Sequence, residues 1–132
     1  PQFMAQGLLN PGDVWTVAGQ RWQVHAAPGH DPNSVILYGL DNGWLVSADA
    51  LWNNGFGVVF PEIEGLSAYD EVEATLQIIQ QLQPKLVLPG HGGVFADVPA
   101  ALGRAQTRRS VQAFARQTCE LRRQSVVEVQ TA

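Results

Sequence analysis

The sequence has little cysteine, no long apolar run and no visible secretory signal. Its 132 residues include one cysteine, Cys119, which excludes an internal disulfide and makes a reducing, cytoplasmic compartment the simplest expectation. No apolar stretch approaches the roughly 20 residues that a membrane-spanning helix needs, and no charged segment followed by an apolar one opens the chain. With 45% hydrophobic and 15% charged residues, the composition is that of a folded globular domain rather than a membrane or disordered protein.

Positive charge is scarce in most of the chain and concentrated at its end. Residues 1–98 contain two basic residues against ten acidic ones, whereas residues 99–132 contain six arginines against two glutamates. An acidic body repels polyanions, and arginines on a helix more often form ion pairs or a solvated face than a nucleic-acid surface. We therefore predict a body, residues 1–98, followed by a basic helix, residues 99–132, that packs on it or extends from it. The expected partner is a small-molecule substrate rather than nucleic acid or a membrane.

Apolar patterning and turn residues predict an α/β domain with its sheet covered on at least one face. Asn42-Gly43 lies between two apolar segments and predicts a hairpin with positive φ angles at both residues. The near-continuous apolar character of the two hairpin strands predicts central positions in the sheet. Ser67 is the predicted N-cap of a helix, and the glycine-rich segment 51–68 is a predicted loop. The predicted strands are 13–19, 21–27, 34–40, 43–48 and 85–88, and the predicted helices are 67–83 and 99–123.

Three potential metal ligands lie where predicted strands end. His30 closes Ala-Pro-Gly-His, Asp49 closes Val-Ser-Ala-Asp, and His91 lies in Leu-Pro-Gly-His-Gly-Gly. Strand ends are common places for functional residues, and imidazole with carboxylate suits Zn²⁺, and also Fe or Mn. A histidine in a Pro-Gly-His loop is, by itself, more often a turn residue with local hydrogen bonds. Spacing alone therefore leaves a shared site and a local role open, while His25, inside a strand, is expected to be structural.

These three motifs together resemble the second half of the metallo-β-lactamase fold superfamily. The segments APGHDPNSVILY, WLVSADAL and LVLPGHGGVF match, in order, its usual Thr-Pro-Gly-His-Thr-x-Gly-Ser, Ser-Gly-Asp-x-Leu and Pro-Gly-His-Gly, over residues 12 to 95 or so. The resemblance implies half of a four-layer αβ/βα sandwich, a mixed sheet with covering helices. The departures, none of which removes a ligand, are Ala27 for Thr, Asp31 for Thr, Asn33 for Gly and Ala48 for Gly.

The resemblance also implies a dinuclear site that this chain fills only in part. In the family pattern His30 would ligate the first metal, His91 the second, and Asp49 would bridge both. The His-x-His-x-Asp-His motif of the family's first half is absent from these 132 residues, so each metal would have two ligands here, fewer than the three of catalytic zinc sites. The alternative is one ion bound by all three residues.

The expected function follows from the resemblance. We expect the chain to be the C-terminal half of a larger metal-dependent hydrolase of a small ester or thioester, as glyoxalase-II-like members are, and to be inactive alone. The superfamily also includes β-lactamases, nucleases, lactonases and persulfide dioxygenases, which leaves the substrate open. The aromatic loop 52–66 is a candidate substrate wall, or equally a cover for the sheet edge. The alternative function is a non-catalytic, metal-poor interaction module that forms a homodimer.

Overall fold

The chain folds into a mixed five-stranded sheet with its helices on one face. The structure, a computed structural model, describes residues 4–131, with side chains up to residue 127. The strands lie in the order β1-β2-β3-β4-β5; the first four are antiparallel and β5 is parallel to β4. The predicted α/β class is confirmed. The elements are β1 Val14–Val17, β2 Gln20–Ala26, β3 Val35–Gly39, β4 Trp44–Ala48, α1 Phe60–Ile63, α2 Tyr69–Leu82, β5 Leu86–Pro89 and α3 Val98–Thr131.

The core lies between one face of the sheet and helices α2 and α3. Residues opposite each other in neighbouring strands point to the same face, and the pairs Tyr38 with Leu45 and Leu45 with Val87 define this face. The side chains of β3 and β4 that point to this face are buried or packed against the core. The side chains that the helices contribute are Val72, Leu76 and Ile79 from α2 and Ala101, Leu102 and Ala105 from α3.

The hairpin between β3 and β4 forms as predicted, but with a different turn. Only Gly43 has a positive φ, 71°; Asn42 is not among the positive-φ residues. The Gly43 N–H donates to the Gly39 carbonyl at 2.8 Å, which shows that the loop is longer than a two-residue turn. A loop of this length does not need two residues in the left-handed conformation. Asn42 acts through its side chain instead: its Oδ1 accepts the Trp44 N–H at 2.9 Å.

Helix α2 begins at Tyr69, and the predicted cap at Ser67 is wrong. The N-cap residue, Ala68, offers no side-chain bond. Instead, Glu62 of the one-turn helix α1, inside the predicted loop, accepts the N–H groups of Ala68 and Tyr69 at 2.5 and 3.2 Å. A carboxylate there satisfies unpaired N–H groups and the positive end of the helix dipole. The Glu62 side chain, 7% exposed, also pairs with Arg116 of α3.

Arginines of α3 bind the loops of the body. The helix is 34 residues long and continues past the predicted end at residue 123. Four of the six arginines in residues 99–132 make these contacts, so most of the charge of this segment is used within the molecule. No helix within residues 4–131 combines the length and apolarity that crossing a bilayer requires. The pairs are Arg104 with Asn53, Arg108 with the Phe56 carbonyl, Arg109 with Tyr69 and Asp70, and Arg116 with Glu62, Gly65 and Leu66.

Replacing Glu62 with alanine should destabilise the fold. The change leaves the Arg116 guanidinium and two backbone N–H groups of α2 without their acceptor, and we expect a loss of about 3 kcal/mol in the free energy of unfolding. Urea unfolding of Glu62→Ala measures it. Glu64→Ala, two residues away and exposed, is the matched control, with an expected change below about 0.5 kcal/mol. Equal losses in the two variants would contradict the capping role.

Candidate metal centre

The three predicted ligands lie at one edge of the sheet. Strands β2 and β4 run in the same direction because each is antiparallel to β3, and β5 is parallel to β4. The carboxyl ends of these three strands therefore share an edge. His30 lies four residues after β2, Asp49 follows β4 directly, and His91 lies two residues after β5. The topology thus brings together residues from three separate parts of the chain.

Asp49 lies between the two histidines. Its Oδ2 is 3.3 Å from His30 Nε2, and its Oδ1 is 2.9 Å from His91 Nδ1. The side chains of His30 and Asp49 are 22% and 26% exposed, whereas that of His91 is 70% exposed. One carboxylate thus reaches two imidazoles through separate oxygens. His25 is not part of this group: it pairs with Ile36 in the sheet, and burial lowers its pKa.

The orientation of the His30 ring is set by a backbone carbonyl. Nδ1 of His30 is 2.5 Å from the Val58 carbonyl oxygen. Since a carbonyl only accepts, Nδ1 carries the proton and donates it to this bond. Nε2 of the neutral ring then directs its lone pair at Asp49 Oδ2, which is also an acceptor. The two atoms repel each other unless a proton or a metal cation lies between them.

The donor types and the distance at His30 fit a first-row metal ion, whereas the 2.9 Å between His91 Nδ1 and Asp49 Oδ1 is the length of a direct hydrogen bond. Two ligand atoms at about 2.0–2.2 Å from a tetrahedral ion are about 3.3–3.6 Å apart, and the 3.3 Å between His30 Nε2 and Asp49 Oδ2 falls in this range. Imidazole with carboxylate suits Zn²⁺, Fe or Mn. Within residues 4–131, however, no three His, Cys, Asp or Glu side chains are grouped so that they could hold one metal ion. The chain therefore offers two ligand pairs that share Asp49, rather than a closed cage.

Two glycines allow the backbone to pack directly on the ligands. A Cβ at Gly57 would lie 2.7 Å from His30 Nδ1, and one at Gly90 would lie 2.9 Å from Asp49 Oδ1. Real side chains do not approach so closely. The N–H groups of these glycines donate to the carbonyls of Asp49 and Ala48, both at 2.7 Å. Ala48 itself has a φ of 46°, a left-handed conformation that favours glycine.

The aromatic residues after Asp49 divide between the two roles that the sequence left open. Phe56 is 2% exposed and belongs to the core. Phe60 is 51% exposed, and its ring centroid lies 5.0 Å from that of His30. Trp52 lies 4.8 Å from the ring of His91 and donates its indole N–H to Asp49 Oδ1 at 3.1 Å. Sequence reasoning missed this specific role of Trp52, and that of Gly57; the only signal for Trp52 was its place three residues after Asp49.

One family model matches most of the chain. The model described as the Metallo-beta-lactamase superfamily matches residues 5–91. No curated protein sequence matches the chain significantly.

Solved structures with the same fold are longer than this chain. A metallo-beta-lactamase family protein from Thermus thermophilus superposes with a TM-score of 0.65 and 27% identity, over 80% of this chain and 36% of its own. A beta-lactamase domain protein from Burkholderia ambifaria gives 0.70 and 24%, over 78% and 33%. A protein solved in a di-iron-bound form gives 0.56 and 27%, over 79% and 46%. The chain thus spans about a third to a half of the length of these proteins.

Adding one methyl group at Gly90 should disturb the site, whereas adding it at Gly93 should not. In Gly90→Ala the new Cβ meets Asp49 Oδ1 and the Ala48 backbone at 2.9 and 3.0 Å, and we expect a loss of about 1–3 kcal/mol in the free energy of unfolding. At Gly93, in the same loop, no atom lies within 4 Å of the position that the methyl group would take, so Gly93→Ala should be neutral or slightly stabilising. Thermal or urea unfolding of both variants checks this; equal stability of the two would contradict the close approach at Gly90.

Proposed function

This chain belongs to the metallo-β-lactamase superfamily, and we propose that it forms part of the metal site of a metal-dependent hydrolase. The observation that supports the proposal most is the position of Asp49, whose two oxygens face the nitrogens of two different histidines. The 3.3 Å between His30 Nε2 and Asp49 Oδ2 is a second support, because a metal cation bound by both atoms would hold them at about this separation.

In this proposal the ligands are His30, Asp49 and His91. His30 and Asp49 would hold one ion, and His91 and Asp49 a second, with Asp49 as the shared ligand. Zn²⁺ is the proposed metal, with Fe as the alternative that the di-iron-bound neighbour makes reasonable. When bound, such ions act as Lewis acids that lower the pKa of a water ligand and polarise a carbonyl oxygen. The Val58 carbonyl contributes by keeping the His30 proton on Nδ1, so that Nε2 stays available.

The surroundings of the site support a small, uncharged substrate group. A groove of about 530 Å³ opens beside Phe60, whose ring contacts that of His30; the three proposed ligands are not among the residues that line this groove. Its lining combines Phe60 and Leu66 with the carboxylates of Asp31, Glu64 and Glu71. Carboxylates disfavour a phosphodiester, whose charge they repel, whereas an ester or thioester is neutral at the scissile bond. We therefore propose a small ester or thioester substrate, in the manner of glyoxalase-II-like members of the superfamily.

We further propose that ligands from outside these 132 residues complete the site. Each ion would receive two ligands from this chain, one fewer than catalytic zinc sites use. The chain also spans only 36% and 33% of two structures that share its fold. Both observations support the interpretation that this is the C-terminal half of a larger domain, with a His-x-His-x-Asp-His segment supplying the remaining ligands.

Exposed apolar side chains favour a second candidate, a non-catalytic module that forms a homodimer. Large apolar residues are 40–71% exposed on the hairpin and on residues 111–127 of α3, among them Leu40, Trp44, Phe114 and Leu121. Apolar surface of this kind often marks a protein interface. In that case the chain would form a dimer in solution and would bind no metal, so sedimentation analysis combined with metal content separates the two candidates.

Removing the Asp49 carboxylate tests the proposed function. In the complete protein that carries this chain, Asp49→Ala should lower kcat/KM for hydrolysis of a model thioester by at least about 10³-fold, because both ions lose a shared ligand. The circular dichroism spectrum should stay unchanged. Asp41→Ala is the matched control: Asp41 lies at the opposite end of β4 and pairs with Arg21 on the surface, so its hydrolysis rate should stay within about twofold. Near-normal turnover of Asp49→Ala would refute the proposed role.

A further inference from the structure

Trp52 contacts two of the three proposed ligands. Its indole Nε1–H donates to Asp49 Oδ1 at 3.1 Å, and its ring is tilted by 54° against the His91 ring with the centroids 4.8 Å apart. We propose that Trp52 is a positioning residue, which fixes the Asp49 carboxylate and the His91 ring in the arrangement that metal ligation needs. This inference rests on the proposed function.

The indole hydrogen bond selects one orientation of the carboxylate. The terminal torsion of an aspartate is broad, so a carboxylate without a directional donor can rotate. Oδ1 of Asp49 accepts from the Trp52 indole and also lies 2.9 Å from His91 Nδ1. Since each carboxylate oxygen has two lone-pair sites and an indole is a donor only, Trp52 occupies one site of Oδ1. The second site of Oδ1 faces His91 and Oδ2 faces His30, so each can ligate the ion that is proposed for that pair.

The ring contact limits the movement of His91. The side chain of His91 is 70% exposed and lies in a glycine-rich loop, so little else restrains it. Among the described residues, the aromatic ring that contacts it is that of Trp52. A ligand that is oriented before the metal arrives loses less conformational entropy on binding.

Trp52 is itself held in place by a turn that is attached to α3. The Trp52 N–H donates to the Gly55 carbonyl at 2.6 Å. Arg104 of α3 donates to the carbonyl oxygen and to Oδ1 of Asn53, both at 2.8 Å. These hydrogen bonds attach the turn that carries Trp52 to α3. The backbone of Trp52 is therefore held in the position from which its indole reaches Asp49.

The first experiment detects the indole contact without any metal. In ¹H–¹⁵N spectra of the metal-free 132-residue chain, the indole signal of each tryptophan is assigned by its replacement with phenylalanine. Asp49→Asn keeps the shape of the side chain and removes its charge. We expect this change to move the Trp52 indole signal and to leave that of Trp44, on the surface of β4, in place. An unmoved Trp52 signal would overturn the proposal.

The second experiment measures the effect of the contact on metal binding. In the complete protein, Zn²⁺ affinity is determined by competition with a chelator. Trp52→Phe keeps an aromatic ring and loses the donor, and we expect it to bind Zn²⁺ about 10-fold or more weakly than the wild type, as loss of an outer partner of a ligand does. Trp44→Phe should bind like the wild type. Equal affinities of Trp52→Phe and wild type would overturn the proposal.

The two experiments separate failure of this inference from failure of the proposed function. If no variant, the wild type included, binds Zn²⁺ or another divalent ion, the proposed function is wrong, and with it the role of Trp52 in ligation. If the wild type binds Zn²⁺ and Trp52→Phe binds it equally well, the function stands and only the positioning role of Trp52 fails.

Discussion

The parallel pairing of β4 with β5 is the constraint on which the candidate site depends. Leu45 lies opposite Val87 in this pairing, and both are fully buried, so a shift in register would move apolar side chains out of the core. The pairing continues up to the site, where the Gly90 N–H donates to the Ala48 carbonyl at 2.7 Å. As a result, the loops that follow β4 and β5 begin next to each other. Their first polar side chains, Asp49 and His91, are therefore in contact.

Arginines of helix α3 stabilise the loop beside the site. The body itself has little positive charge with which to do so. The segment between β4 and α2 contains four backbone carbonyls that face α3, and also Glu62, whose side chain is 7% exposed. Arginines of α3 satisfy these groups, and Arg108 also lies over the Phe56 ring at 4.9 Å. The basic end of the sequence thus pairs with the loop between β4 and α2 inside the same molecule. These contacts order the residues nearest the proposed ligands.

The sequence predicts the strands and their ends well, because these depend on local patterns. Apolar segments with Asn42-Gly43 between them predict the hairpin, and strand ends that carry His30 and Asp49 predict the place of the site. The features that the sequence does not predict are those that depend on contacts between distant segments. The bond from His30 to Val58 spans 28 residues, and the pair of Glu62 with Arg116 spans 54. No local pattern indicates that a glutamate in a predicted loop caps α2 in place of Ser67.

The metal content of two proteins tests the central claim most directly. Elemental analysis is carried out on the complete protein and on the 132-residue chain after the same dialysis. If Asp49 bridges two ions whose other ligands lie partly outside this chain, the complete protein should retain two metal ions per molecule and the short chain roughly none. Two tightly bound ions in the short chain, or none in the complete protein, would contradict the account.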